Sequence, residues 1–198
     1  MLTFAAAIFF LIISPGPGVL SAAGVSAAFG MRAGLRYVLG LMIGNAAVML
    51  AVITGLAALI LASPVIRTVL MVLSTAYLLY LAAKIAFAGA QVSFIAADRE
   101  PGVLGGFLLQ PINPKAYVVN TFLFANFPLY PDAYVTEVIV KAIVFNAIWL
   151  PLHILWCWFG ASLRRLNLAP RQQRAINVGM AASMLVVVGL ALIAGGVG

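Results

Sequence analysis

Two short stretches decide how this chain folds: Ser14-Pro15-Gly16-Pro17-Gly18 and Gln110-Pro111-Ile112-Asn113-Pro114-Lys115. Each sits inside an apolar run long enough for a membrane helix, and each holds two prolines. A proline lacks the amide hydrogen, and its ring collides with the carbonyl four residues earlier. The carbonyls of Leu11, Ile13, Phe107 and Gln110 therefore lose their helical donors, and Gly16 and Gly18 loosen the first stretch further. Bare carbonyls are not tolerated against lipid tails. Broken backbone at membrane depth must pack in protein or line a wet cavity.

The rest of the composition agrees with a bilayer setting. The chain has 198 residues, 65% of them hydrophobic and 8% charged, with a mean hydropathy of +1.18. A soluble domain carries roughly a quarter charged residues, and this much apolar surface cannot be hidden in one aqueous core. The net charge is +7, but the basic residues fall between apolar runs and form no stripe with interleaved aromatics. That pattern speaks for topology and lipid contact, and against nucleic acid. The single cysteine, Cys157, excludes a disulfide or a thiolate metal site within one chain. Residues 1–13 carry no Lys or Arg, so the first apolar run reads as a retained helix and not as a cleaved signal. No cofactor is implied.

A hydrocarbon core about 30 Å thick takes roughly 20 helical residues. Six segments qualify: 4–27, 38–60, 66–88, 104–126, 134–160 and 174–196. Connectors one, three and five hold Arg32, Arg36, Arg99, Arg164, Arg165, Arg171 and Arg174, while connector two has only Arg67 and connector four has none. Lys and Arg are retained in the cytoplasm, so the odd connectors are expected inside and both termini in the periplasm. The two breaks lie about 96 residues apart, each in the first helix of a three-helix half. Three helices per half is odd, so the halves enter from opposite sides. The expectation is an all-α integral membrane protein, a single domain over 1–198 made of two inverted three-helix repeats, 1–96 and 97–198, with helices 1 and 4 broken.

Lys115 is the residue most suggestive of function, because an intramembrane cation is costly; the competing reading is a side chain snorkelling to the headgroups. Gln110, Asn113 and Asn120 gather round the same break. Asn113 is placed near the solute, and Asn120 is read as an interhelical hydrogen bond. Gly40 and Gly44 form a small-xxx-small pair suited to close packing, followed by Asn45, whose amide can point into a cavity. Tyr77 and Tyr80 share a helix face and read as packing. His153 is the only histidine, and reads as a hydrogen-bonded packing residue before it reads as a proton relay. Asp98, Glu100, Asp132 and Glu137 all lie in or near connectors, so no carboxylate is placed mid-membrane.

With these features in order, the chain resembles the lysine exporter-like family, in particular its homoserine and threonine efflux branch. The resemblance rests on Ser14-Pro15-Gly16-Pro17, on Gly30 to Gly34 with Arg32 and Arg36, on Gly40-xxx-Gly44, on Ala76-Tyr77-Leu78-Leu79-Tyr80-Leu81, and on Asn113-Pro114-Lys115-Ala116. It implies a six-helix exporter of amino acids or their derivatives in a bacterial inner membrane, driven by the proton gradient. Two positions depart from the pattern: Gly18 stands where Asn is usual, and Asn45 where many members have Asp.

The expected substrate-binding set is therefore Ser14, Pro15, Gly16, Pro17, Gly18, Asn45, Asn113, Pro114 and Lys115, around a small zwitterionic solute such as an amino acid. Lys115 and a half-helix N-terminus suit its carboxylate; freed carbonyls near Pro15 and Pro17 suit its ammonium. A homo-oligomer is compatible with this reading. A channel or a structural membrane subunit are the alternatives, whereas an enzyme lacks the nucleophile and base, or the metal ligands, that it would need.

Overall fold

Every element of regular structure among the described residues is helical. The structure, a computed structural model, describes residues 1–13, 16–55, 63–86 and 99–165, with isolated positions 171, 172, 174, 175, 178, 179 and 182. Ser14 and Pro15, most of the third connector and most of the predicted sixth segment lie outside the described residues. Among the described residues seven helices follow one another: α1 (Leu2–Ile13), α2 (Pro17–Phe29), α3 (Met31–Ile53), α4 (Pro64–Ala86), α5 (Gly102–Ile112), α6 (Pro114–Asn126) and α7 (Tyr134–Arg165).

The first predicted segment is broken where its prolines stand: α1 and α2 meet at 53°, with Pro17 as the first residue of α2. The fourth is broken at Asn113, whose ψ of 106° interrupts the helical path between α5 and Pro114. Among the described residues α3, α4 and α7 are each long and apolar enough to cross a bilayer, and α1 with α2 passes the same test as one bent pair. At 32 residues, α7 reaches about 48 Å at 1.5 Å per residue, more than the hydrocarbon core needs. It runs on through Pro151.

Several boundaries differ from the sequence expectation: α3 ends at Ile53 and not at 60, and α7 takes in Arg164 and Arg165, expected in the fifth connector. Arg32, Gly34 and Arg36 do not form a connector; they occupy the first two turns of α3, and the α2–α3 turn is Gly30 alone, at φ +92°. Only glycine enters that region without strain. The exposed Arg32 and Arg36 show why charge misplaced the boundary: the helix extends past the apolar zone and carries its arginines there.

Helix α3 packs most extensively on α5, and α2 on α7. The first contact depends on missing side chains. A methyl on Gly40 would overlap the backbone of Val103 and Phe107, and one on Gly106 the backbone of Tyr37, so Gly40-xxx-Gly44 works as a close-packing pair. Tyr77 braces α4 against α5, donating to the Gly105 carbonyl at 2.5 Å.

The sidedness of the shell is inverted relative to a soluble protein. Leu39, Ile43, Leu50, Val69, Leu73, Leu104, Leu108, Val118, Ile139, Ile143 and Phe159 are exposed. Asn45, Gln110, Asn113, Asn120, Lys141 and His153 are buried. An apolar exterior this continuous belongs in lipid, and the chain is a multi-pass membrane protein.

Contacts at the helix ends sort the connectors into two layers. Arg36 pairs with Glu100 at 2.6 Å, joining the start of α3 to the segment before α5. Tyr134 donates to the Ile53 carbonyl at 2.9 Å, joining the end of α3 to the start of α7. Phe4 near the N-terminus meets Phe127 in the connector after α6, the rings tilted at 56° with 5.6 Å between centroids.

Candidate functional site

The breaks in the two proline segments converge on one small, half-open cavity. Gly16, Gly18 and Val19 line it from the start of α2, Asn45 from α3, Gln110 and Asn113 from the second break, and Lys115, Ala116, Val119 and Asn120 from α6. Leu11 and Ile12 at the end of α1, with Phe145, Trp149 and His153 on α7, complete the wall.

Asn113 shapes the second break. Its side-chain oxygen accepts from the Lys115 amide at 3.1 Å, capping α6, and its backbone amide donates to Gln110 O at 3.1 Å. That bond occupies a carbonyl that Pro114 had deprived of a helical donor. The Tyr117 hydroxyl donates to Pro111 O at 2.9 Å. In the first break, Ser21 donates to the carbonyls of Pro17 and Gly18, at 2.5 and 2.9 Å. Gly16 caps α2 with no side-chain hydrogen bond, so the positive end of α2 opens on the cavity.

Lys115 reaches across to the first break. It is half-buried and lines the cavity, with its Nζ 2.9 Å from where a Cβ on Gly16 would sit. Further along α6, Asn120 donates to Asn45 Oδ1 at 3.0 Å and to Ala116 O at 2.8 Å. This is the interhelical hydrogen bond expected of Asn120, but its own Oδ1, fully buried, has no partner among the described residues. His153 stacks on Trp149, with 3.6 Å between ring centroids.

Of the nine expected residues, Gly16, Gly18, Asn45, Asn113 and Lys115 are brought together at the cavity. Pro17 and Pro114 open α2 and α6 behind it. Ser14 and Pro15 lie outside the described residues. On α7, sequence reasoning misses Phe145 and Trp149, and reads His153 as packing before proton relay. Phe145, Trp149 and His153 recur every fourth residue, which puts them on one helix face, and that spacing could have revealed them.

The sequence model described as LysE type translocator matches residues 9–196. The chain belongs to the LysE type translocator family. Among its relatives, a leucine efflux protein of Salmonella typhimurium (strain LT2) is 31% identical over 130 residues, 63% of this chain and 61% of the relative. Leucine efflux proteins of Klebsiella pneumoniae subsp. pneumoniae and Enterobacter sp. (strain 638) are 30% and 29% identical, covering 64% and 63% of this chain and 62% of each relative. The chain spans about three fifths of the length of the curated relatives it matches. No solved structure matches. The family is one of transporters, and this LysE type translocator has its most polar interior where its helices are interrupted.

Proposed function

We propose that this translocator exports a small neutral amino acid or a derivative across a bacterial inner membrane, by alternating access and in exchange for protons. The observation that carries the reading is the meeting of two interrupted helices at one polar cavity inside an apolar shell. A purely structural subunit has no use for two such breaks, since each exposes backbone that must be satisfied at depth.

A zwitterion fits the cavity's polarity. Its carboxylate binds between the Lys115 ammonium and the uncapped start of α2, both positive and both at Gly16. Its ammonium takes acceptors further along the lining, among them Asn120 Oδ1, which has no partner among the described residues. Among the described residues the lining contains no carboxylate, and Leu11, Ile12, Val19, Phe145 and Trp149 supply apolar contact. An uncharged, aliphatic side chain suits that wall better than a cationic one. The names of the leucine efflux relatives point the same way.

For the architecture we infer six spans in two inverted halves. The crosswise packing supports this: α5 of the second half lies on α3 of the first, and α2 of the first on α7 of the second. The end contacts support it too, because Arg36–Glu100 joins the first and third connectors, while Tyr134–Ile53 joins the even ones. With the arginine-rich layer in the cytoplasm, the N-terminus lies in the periplasm beside Phe127. Rocking of one half against the other then exposes the cavity to each side in turn.

Counterflow of labelled amino acids into proteoliposomes tests the function. Saturable uptake of leucine, with lysine a poor substrate, is expected. Lys115→Met is expected to lower it at least tenfold at unchanged expression. Flux that does not saturate, or wild-type flux in the Lys115→Met variant, defeats the proposal.

A further inference from the structure

We infer that His153 is the group at which the proton and the substrate ammonium compete, so that one proton enters for each amino acid that leaves. The inference rests on the exporter reading above and adds the device that couples it.

The geometry fixes the hydrogen on the ring. His153 Nδ1 lies 2.9 Å from the Trp149 carbonyl oxygen. A carbonyl only accepts, so Nδ1 carries the hydrogen and neutral Nε2 keeps its lone pair. The stacked Trp149 ring holds the imidazole plane. Nε2 points at the first turn of α2, 3.3 Å from where a Cβ on Gly18 would lie, with the Gln110 side chain 3.9 Å from the same point. The absence of a side chain at Gly18 therefore leaves Nε2 open to the cavity that Lys115 also lines.

Few other groups can take this role. Helices α1, α2 and α3 pack on α7. The described residues of α1 and α2 include no titratable side chain. On α3, Arg32 and Arg36 are exposed and Tyr37 is buried against α5, none of them lining the cavity. On α7 itself, Glu137 and Lys141 are paired with each other more than three turns before His153, and Cys157 lies one turn beyond, directed at Ala22 O. Among the described residues, Lys115 and His153 are the titratable side chains of the cavity lining.

The cycle balances as follows. In the inward-facing state neutral Nε2 accepts an N–H of the substrate ammonium, while Lys115 holds the carboxylate. In the outward-facing state a proton from the periplasm binds the Nε2 lone pair, the ammonium–imidazole bond breaks, and the imidazolium repels the ammonium outward. Return of the empty carrier delivers that proton to the cytoplasm. A zwitterion leaves without net charge and one proton enters, so each turnover moves one positive charge inward.

Purified protein in weakly buffered detergent solution, with a pH indicator and leucine as the probe, tests the competition directly. Below the pH at which His153 is half-protonated, leucine binding is expected to release close to one proton, and its apparent Kd to rise about tenfold per pH unit. In proteoliposomes His153→Gln, monodisperse on gel filtration, is expected to lose accumulation driven by a pH gradient at least tenfold, while slower leucine counterflow persists without pH dependence. Leucine binding without proton release in the wild type overturns the assignment even if no variant folds. So does full gradient-driven accumulation by His153→Gln, with the exporter reading left standing. Wild-type protein that neither binds nor exchanges any amino acid overturns both.

Discussion

Lys115 of the second break lies over Gly16 of the first, its Nζ and Cδ 2.9 and 3.1 Å from where a Cβ on Gly16 would be. The two halves of the chain thus touch through a cation and a missing side chain. Gly16 has φ −165° and ψ 175°, an extended conformation open to any residue, so its small size matters here and its backbone freedom does not. Gly16→Ala should fold normally, because only the mobile end of a lysine must move. It should displace the ammonium and raise the half-saturating leucine concentration roughly three- to tenfold, as a loss of about 1 kcal/mol does. Concentration-dependent counterflow checks this, and an unchanged half-saturation would detach Lys115 from substrate binding.

A second cation is buried for another reason. Lys141 is 1% exposed and donates to Glu137 at 2.5 Å and to Phe124 O at 2.8 Å. The same carboxylate accepts the amides of Leu129 and Tyr130, at 3.2 and 2.8 Å. The pair therefore clamps the end of α6 and the following connector to α7. Removing one partner leaves a buried charge uncompensated, whereas removing both can be nearly neutral. Glu137→Gln should lower the unfolding midpoint in detergent by several degrees, and Glu137→Gln with Lys141→Met should recover most of the loss. A double variant as unstable as the sum of the singles would show that the two side chains act independently.

The α3–α5 contact should be the least tolerant part of the fold. At Gly40 the atoms in the way are main-chain atoms of Val103 and Phe107, which cannot rotate aside as the Lys115 side chain can. Gly40→Ala must separate the two helices and is expected to cost at least the 1–3 kcal/mol or so of ordinary overpacking. Thermal unfolding of Gly40→Ala beside Gly16→Ala checks the contrast: the first should lose several degrees and the second almost none.

How much of this could be read from the residues depends on which physical signal each feature leaves. The breaks were legible because proline removes a donor wherever it stands, and Pro17, Pro111 and Pro114 sit where the helices change. Apolar runs gave the helical segments that lie among the described residues, since lipid demands them whatever the tertiary contacts. The start of α3 was not legible, because Arg32 and Arg36 look like connector residues although the helix carries them beyond the apolar zone. Burial of Lys141 was equally hidden: a lysine near a helix end predicts snorkelling, and only the fold brings Glu137 and the Phe124 carbonyl to it. The faces of Trp149 and His153 became meaningful once α2 lay against α7.

Pro114 offers the sharpest separation of stability from transport. It is the first residue of α6, where proline is well accommodated, but it also keeps Gln110 O from taking a helical donor, and that carbonyl instead accepts from Asn113 at 3.1 Å. Pro114→Ala restores an amide four residues after Gln110. The helical bond can then form, Asn113 can leave its extended conformation, and α5 can run straight into α6. Such a helix satisfies its own backbone better, so the unfolding midpoint should hold or rise by a few degrees. Straightening also rotates Lys115 away from Gly16 and closes the gap between the halves, and leucine counterflow should fall at least tenfold. A variant that is more stable and transports at the wild-type rate would mean that the break serves packing alone.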